Sequence, residues 1–233
     1  IAAAVNMKAS VKALAAAAVL LRPTYGATQL IRTTWGVPEF DDPDDWEQWM
    51  VEQKADGYSG FEAPTWVPCG VSTFSNFGLD HSCNETRAQM FRQALSTSGL
   101  EFFAQVHTAG YPISSGSVED HVTSLRSLIR TAKLLGASFA NIHGGCDFWD
   151  LDQKAKFMAA SAEVEAEEGL ECAHETHRMR ALAFPRDTHV LLSDKSLSFK
   201  LTADLSHWVV ALERVFDFPA DKAWWPQLLD LVA

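Results

Sequence analysis

An α/β barrel of the TIM (β/α)8 type is what this sequence predicts, and three observations predict it. Short apolar runs of strand character alternate with helical stretches, most of which a glycine closes. The repeat runs roughly 30 to 40 residues, which suits one strand, one helix and their connections. Polar residues gather where the apolar runs end, above all in LECAHETHR, Leu170 to Arg178, and LTADLSHW, Leu201 to Trp208. In a parallel barrel those strand ends converge on the face that carries chemistry.

The first segment, 1–28, stands apart. From Met7 it reads MKASVKALAAAAVLLRPTYGA, basic and then Ala-rich, with no acidic residue before Glu39. That fits a secretory signal or an organelle transit segment. An ordinary N-terminal helix, or an artefact of where translation was taken to begin, fits as well. Ile1 in place of Met suggests a fragment. Localisation is cytoplasmic by default, secretory or organellar if the segment targets.

The barrel domain is expected over 29–233. Gln29 to Val37 reads as a first strand ended by Pro38, and Asp41 to Asp45 supplies the acidic start of a helix carrying Trp46, Trp49 and Met50 up to Gly57. A second strand, Tyr58 to Ala63, holds Glu62 near its end, before a loop through residue 84 long enough to be functional or mobile. A helix from Glu85 to Ser98 stops at Gly99, and LEFFAQVHTAG then puts Phe103, Gln105 and His107 on one strand face. Val118 to Leu135 is the most regular helix, with Val122, Leu125, Ile129, Ala132 and Leu135 as its stripe and Gly136 as its cap. SFANIHGGCDFW pairs Asn141 with His143, and Gly144 and Gly145 are expected to let a ligand reach the backbone. A helix from Asp152 to Glu168 ends at Gly169, and the LECAHETHR strand follows. Pro185 to Ser196 is a fair helix, Phe199 to Asp204 the sixth strand, and Ala220 to Val232 the start of another helix. Six strands against the eight of a closed barrel make the chain read as incomplete at its C-terminus.

At 233 residues and 47% hydrophobic, the chain can bury a full core as one domain. A net charge of −11 without a Lys/Arg cluster argues against a nucleic-acid surface. No apolar run in the mature region is long enough to span a bilayer. Cys69, Cys83, Cys146 and Cys172 lack CxxC spacing, so neither a zinc knuckle nor a disulfide framework is expected, and Cys146 and Cys172 read as buried thiols.

Strand alternation places Ala173, Glu175 and His177 on one face if the strand persists that far, and pairs Thr202 with Asp204. Small or short inward neighbours followed by a carboxylate leave room for an ion. Oxygens from Glu175 and Asp204 with a nitrogen from His207 suit Mn, Mg, Co or Zn. The competing account is a salt bridge to Arg178 or Arg180. His107 and His143 end strands beside glycine turns and could bind substrate or simply satisfy a backbone carbonyl; Glu62 could hold a substrate hydroxyl or pair with a cation. His174, of opposite parity, reads as structural, His177 and Arg178 as rim contacts, and His121 in its helix carries no signal. Arg178 would suit a substrate phosphate or carboxylate.

HETHR with Arg180, TADLSHW, and NIHGG upstream resemble the sugar phosphate isomerase/epimerase family of xylose isomerase-like TIM barrels, over roughly Leu30 to the C-terminus. The resemblance implies a metal-dependent isomerase or epimerase working through an enediolate on a sugar or sugar phosphate. Glu175 would be catalytic base and, with Asp204 and His207, metal ligand; Glu62, His107, His143, His207 and Arg178 would bind substrate. The family's further ligands, a His on strand seven and a Glu on strand eight, would lie beyond Ala233. An apurinic endonuclease-type zinc phosphodiesterase uses His107, His143, Glu175, Asp204 and His207 in the same order and is the alternative. A third reading is a non-catalytic barrel that binds a small molecule or a partner. No nucleic-acid or membrane partner is expected, and a homo-oligomer is compatible with the sequence.

Overall fold

The computed structural model describes residues 29–35, 43–69, 83–111 and 113–213. The expected leader and the expected helix from Ala220 to Val232 lie outside the described residues. Six strands form one parallel sheet in sequential order: β1 (Ile31–Thr33), β2 (Gly60–Pro64), β3 (Glu101–His107), β4 (Phe139–His143), β5 (Cys172–Glu175) and β6 (Leu201–Thr202). Helices α1 (Pro43–Ala55), a short α2 (Trp66–Cys69), α3 (Glu85–Ser98), α4 (Val118–Leu134), α5 (Leu151–Glu168), α6 (Pro185–Ser193) and α7 (Leu205–Ala211) alternate with them. Sequential parallel order with a helix in each crossover is the pattern of an α/β barrel, of which six strands lie among the described residues.

Local chemistry sets the helix ends. Asn84 caps α3 by accepting from Arg87 N–H, Ser117 caps α4 by accepting from Asp120 N–H, and Asp150 with Gln153 forms a reciprocal capping box on α5. Gly99 and Gly169 end α3 and α5 in the left-handed conformation, at φ 64° and 66°. No described helix is long and apolar enough to cross a membrane.

Strand parity divides the sheet into two faces. Phe61, Phe102, Ala104, Val106, Ala140, Ile142 and Cys172 face the helices and join Trp46, Phe91, Leu125 and Ile129 in the main core. Phe61 stacks on Phe102 at 5.4 Å, and Phe91 meets Phe102 edge-on at 5.1 Å. The alternate residues face inward, and near the strand ends these are Glu62, Gln105, His107, Asn141, His143 and Glu175. His174 obeys the opposite parity as expected: it is buried among the helices, with Nε2 3.0 Å from Glu165 on α5.

Two expectations need correction. Cys69 and Cys83 form a disulfide, because the end of α2 and the approach to α3 bring their Cα atoms to 5.0 Å. Gly144 and Gly145 do not open the backbone to a ligand. A Cβ on Gly144 would stand 2.6 Å from the Phe157 ring, and one on Gly145 2.7 Å from Trp149, so both glycines admit core side chains. Cys146 and Cys172 are buried free thiols, as expected.

Candidate active site

At the C-terminal end of the sheet lies a cavity of about 390 Å³, lined by Glu62, His107, His143, Glu175, Asp204 and His207, with Thr33, Trp35, Gln105, Tyr111 and His177 completing its wall. Parallel pairing places these groups together. His107 and His143 occupy matched positions on β3 and β4, and their rings stack at 4.2 Å and 17°. Glu175 closes β5 beside Thr202 of β6. The chain then turns at Asp204, which accepts hydrogen bonds at Oδ1 from Ser206 N–H and Oγ–H and so caps α7. That turn carries His207 back over the strand ends.

Three of the expected ligands converge. Ligand atoms of Glu175, Asp204 and His207 all lie within 4.8 Å of one another. His207 Nε2 is 3.8 Å from Glu175 Oε1 and 3.8 Å from Asp204 Oδ2. Two donors each about 2.1 Å from a common ion stand roughly 3 to 3.5 Å apart, so these gaps are a few tenths of an ångström wider than a bound ion would hold them. No arginine pairs with Glu175 or Asp204 among the described residues. The orphaned atoms point the same way: among the described residues, both nitrogens of His107, His143 Nδ1 and His207 Nδ1 are buried without a hydrogen-bond partner, and His143 Nε2 stands 3.2 Å from Glu175 Oε2. Carboxylate oxygens and neutral imidazoles are a donor set that fits a divalent ion.

Electrostatics match. Burial raises the Glu175 carboxyl to about 7 against the pull of a hydrogen bond from Asn141, with the charges of Glu62 and Asp204 adding to the rise. Glu62 is raised by burial as well, and bonds from Asn141 and Gln105 hold it back. Burial first, and then neighbouring positive charge, lowers His107 and His143 far below the usual imidazole range. His177 is lowered to about 4, chiefly by burial, and His207 is lowered by burial too. The imidazoles are therefore neutral near pH 7, able to ligate or to accept a proton.

The structure redistributes the remaining roles. His177, read as a rim contact, is buried, with its ring 3.9 Å from His207 and 5.0 Å from His143. Arg178 is exposed beyond the cavity wall, and its carbonyl lies 2.5 Å from His177 Nδ1. Arg180 is fully buried and donates to Thr108 O at 2.8 Å and Gly110 O at 2.6 Å, straddling Ala109, whose φ is 54°. It thereby holds the loop that carries Tyr111 into the cavity wall. Asn141, which donates to both Glu62 and Glu175, was unassigned by sequence although it stands one strand repeat before His143. Gln105 precedes His107 in the same way; that i, i+2 relation was the available signal.

No protein-family model matches the sequence, and no curated protein matches it. Solved structures do. The probable 3-DHS dehydratase AsbF from Bacillus anthracis is 14% identical, with 88% of this chain and 71% of that one covered at a TM-score of 0.59. A xylose isomerase-like TIM barrel protein from Mycobacterium smegmatis in complex with magnesium is 15% identical, covering 90% and 73% at 0.58. A D-allulose 3-epimerase from Methylomonas sp. in complex with D-allulose is 11% identical, covering 78% and 64% at 0.56. Identities this low establish a common fold.

Proposed function

On the footing that the chain has the xylose isomerase-like TIM-barrel fold, we propose that it is a metal-dependent isomerase or epimerase of a sugar or sugar phosphate. The observation that carries this reading is the convergence of Glu175, Asp204 and His207 in a cavity walled by imidazoles with nitrogens unpartnered among the described residues. These three residues would hold the ion. A bound divalent ion supplies Lewis acidity, polarising a substrate carbonyl and offsetting negative charge on its oxygen. Glu175, near pH 7 in its proton affinity, takes the proton from the carbon beside the carbonyl, leaving an enediolate. Return of that proton to the neighbouring carbon, with the hydroxyl hydrogen passing from one substrate oxygen to the other, would give the isomer, and delivery of a proton by a second acid on the opposite face of the same carbon would give the epimer; neither needs an oxidant. Glu62 accepts a substrate hydroxyl hydrogen, and His107 and His143 offer the neutral nitrogens that orient other hydroxyls. Arg178, exposed outside the cavity lining, would meet a substrate phosphate at the rim. D-Allulose in one protein of this fold supports a sugar as ligand.

One observation favours a second reading. His143, Glu175 and His177 form another donor group within the same 4.8 Å limit, and an endonuclease IV has this fold. A multi-zinc phosphodiesterase would use both groups. The net charge of −11 and the three carboxylates of the cavity wall weigh against a polyanionic substrate. Metal stoichiometry with a ketose and ketose phosphate screen decides: one ion per chain with sugar turnover supports the isomerase. Several zinc ions with cleavage of abasic DNA would replace it.

A further inference from the structure

Glu62 and Glu175 reach the cavity from strands that are not neighbours in the sheet, with β3 and β4 between them. A single nitrogen joins them. Asn141 Nδ2 donates to Glu62 Oε1 at 2.8 Å and also to Glu175 Oε2. A primary amide has two hydrogens, and both are used. The residue is 4% exposed, and its Oδ1 is buried without a hydrogen-bond partner among the described residues. The opposite amide orientation would turn that oxygen against two carboxylates, so the network sets which end faces them. On β4 Asn141 stands level with Gln105 of β3 and with the small Ala173 of β5, which leaves it space to reach both acids.

The two oxygens of Glu175 thereby differ. Oε2 takes the Asn141 hydrogen bond and lies 3.2 Å from His143 Nε2, whereas Oε1 faces His207 at 3.8 Å. We propose that Asn141 is a positioning residue: its one amide nitrogen ties Glu62 to Glu175 and so fixes the plane of the Glu175 carboxylate, with its remaining oxygen aimed toward Asp204 and His207. The proposal rests on the cation reading given above. Without the tie, the Glu175 carboxylate plane is free to rotate about its broad terminal torsion, and its oxygen loses its aim at Asp204 and His207. Asp, although the same shape, cannot substitute, because it has no hydrogen to donate and adds a third acid.

The test is a double-mutant cycle on the full chain, with Mn(II) alone as the probe and its affinity measured by titration. Partners of ligating side chains typically carry about 10–100-fold in metal affinity, so Asn141→Ala is expected to weaken Mn(II) by at least about tenfold. Glu62→Gln should weaken it less, and the double variant should bind no worse than Asn141→Ala, since Glu62 acts on Glu175 through Asn141. A role confined to packing would give additive losses. Additivity, or an Asn141→Ala affinity within about twofold of the parent, overturns the proposal. If Asn141→Ala fails to fold, Asn141→Ser, with one hydrogen to give, replaces it and should show an intermediate loss. If the parent itself holds no Mn(II), the cation reading falls, and urea unfolding of the same four proteins still decides the tie: coupled effects uphold it and additive ones overturn it.

Discussion

His121 and His107 are buried alike, at 0% and 2% exposure, and are lowered in proton affinity alike by burial, yet they sit in opposite circumstances. His121, on α4, is satisfied at both nitrogens: Nδ1 lies 2.5 Å from Thr108 Oγ1 and Nε2 2.9 Å from Ser115 O. Its edge also touches Cys146 and Trp149. His107 has aromatic neighbours, Trp66 at 5.1 Å and Tyr111 at 5.8 Å, but among the described residues no hydrogen-bond partner for either nitrogen. Unmet hydrogen-bonding capacity costs stability, so a fold keeps it where a ligand completes it. His121 is satisfied as it stands; His107 is not.

The largest effect expected is at the cavity. Glu175→Gln should lower Mn(II) affinity by more than about a hundredfold, beyond what an outer partner costs, as read by equilibrium dialysis. The same change should raise the stability of the metal-free chain at pH 8, because a carboxylate that burial disfavours is gone. A loss of fold with no loss of metal would reverse the comparison. Next comes the satisfied histidine. His121→Ala should cost about 2 to 3 kcal/mol in urea unfolding through lost hydrogen bonds and a cavity, with Mn(II) affinity unchanged. His107→Phe, which removes two unpaired nitrogens, should stay within about 1 kcal/mol of the parent while sugar binding is lost.

Proton linkage separates the two regions by sign. The Glu175 carboxyl, raised from 4.5 to about 7, favours the metal-free fold below 4.5, and that contribution is lost as pH rises through about 7. His121, lowered from 6.5 to about 4, contributes above 6.5, and that stability is lost as pH falls through about 4. Mn(II) must displace the Glu175 proton, so its affinity should drop by up to about tenfold per unit below pH 7 in calorimetric titrations. A flat affinity between pH 5 and 7 would remove Glu175 from the ligand set. The smallest effect belongs to the rim. Arg178→Ala should change stability by less than about 0.5 kcal/mol and weaken binding of a sugar phosphate but not of the free sugar.

Much of the fold was legible because its signals are local. Asn84, Ser117 and Asp150 cap helices, and Gly99 and Gly169 end them, so α3, α4 and α5 fall within one residue of expectation. The strands at the two margins are shorter than their apolar runs, Ile31–Thr33 for Gln29 to Val37 and Leu201–Thr202 for Phe199 to Asp204. Among the described residues each pairs on one side alone, and hydrophobicity does not report where pairing stops. In the site, period-two alternation was enough to bring Glu175, Asp204, His107 and His143 toward one face. It also put His177 with Glu175, against its reading as a rim contact, but it could not show that Asn141 bridges two acids or that Cys69 bonds Cys83. The first depends on how three strands stand across the sheet, and the second on where the end of α2 stands relative to the start of α3.

Arg180 imposes a constraint on how this chain tolerates recombination. Its guanidinium follows β5 in sequence but lodges in the turn after β3, where two carbonyls on either side of Ala109 depend on it. A chimera joined anywhere between those segments would inherit either a buried cation with no acceptors or a left-handed turn with no clasp. Viable crossovers in this protein should therefore keep the third, fourth and fifth strand–helix units together as one block of inheritance.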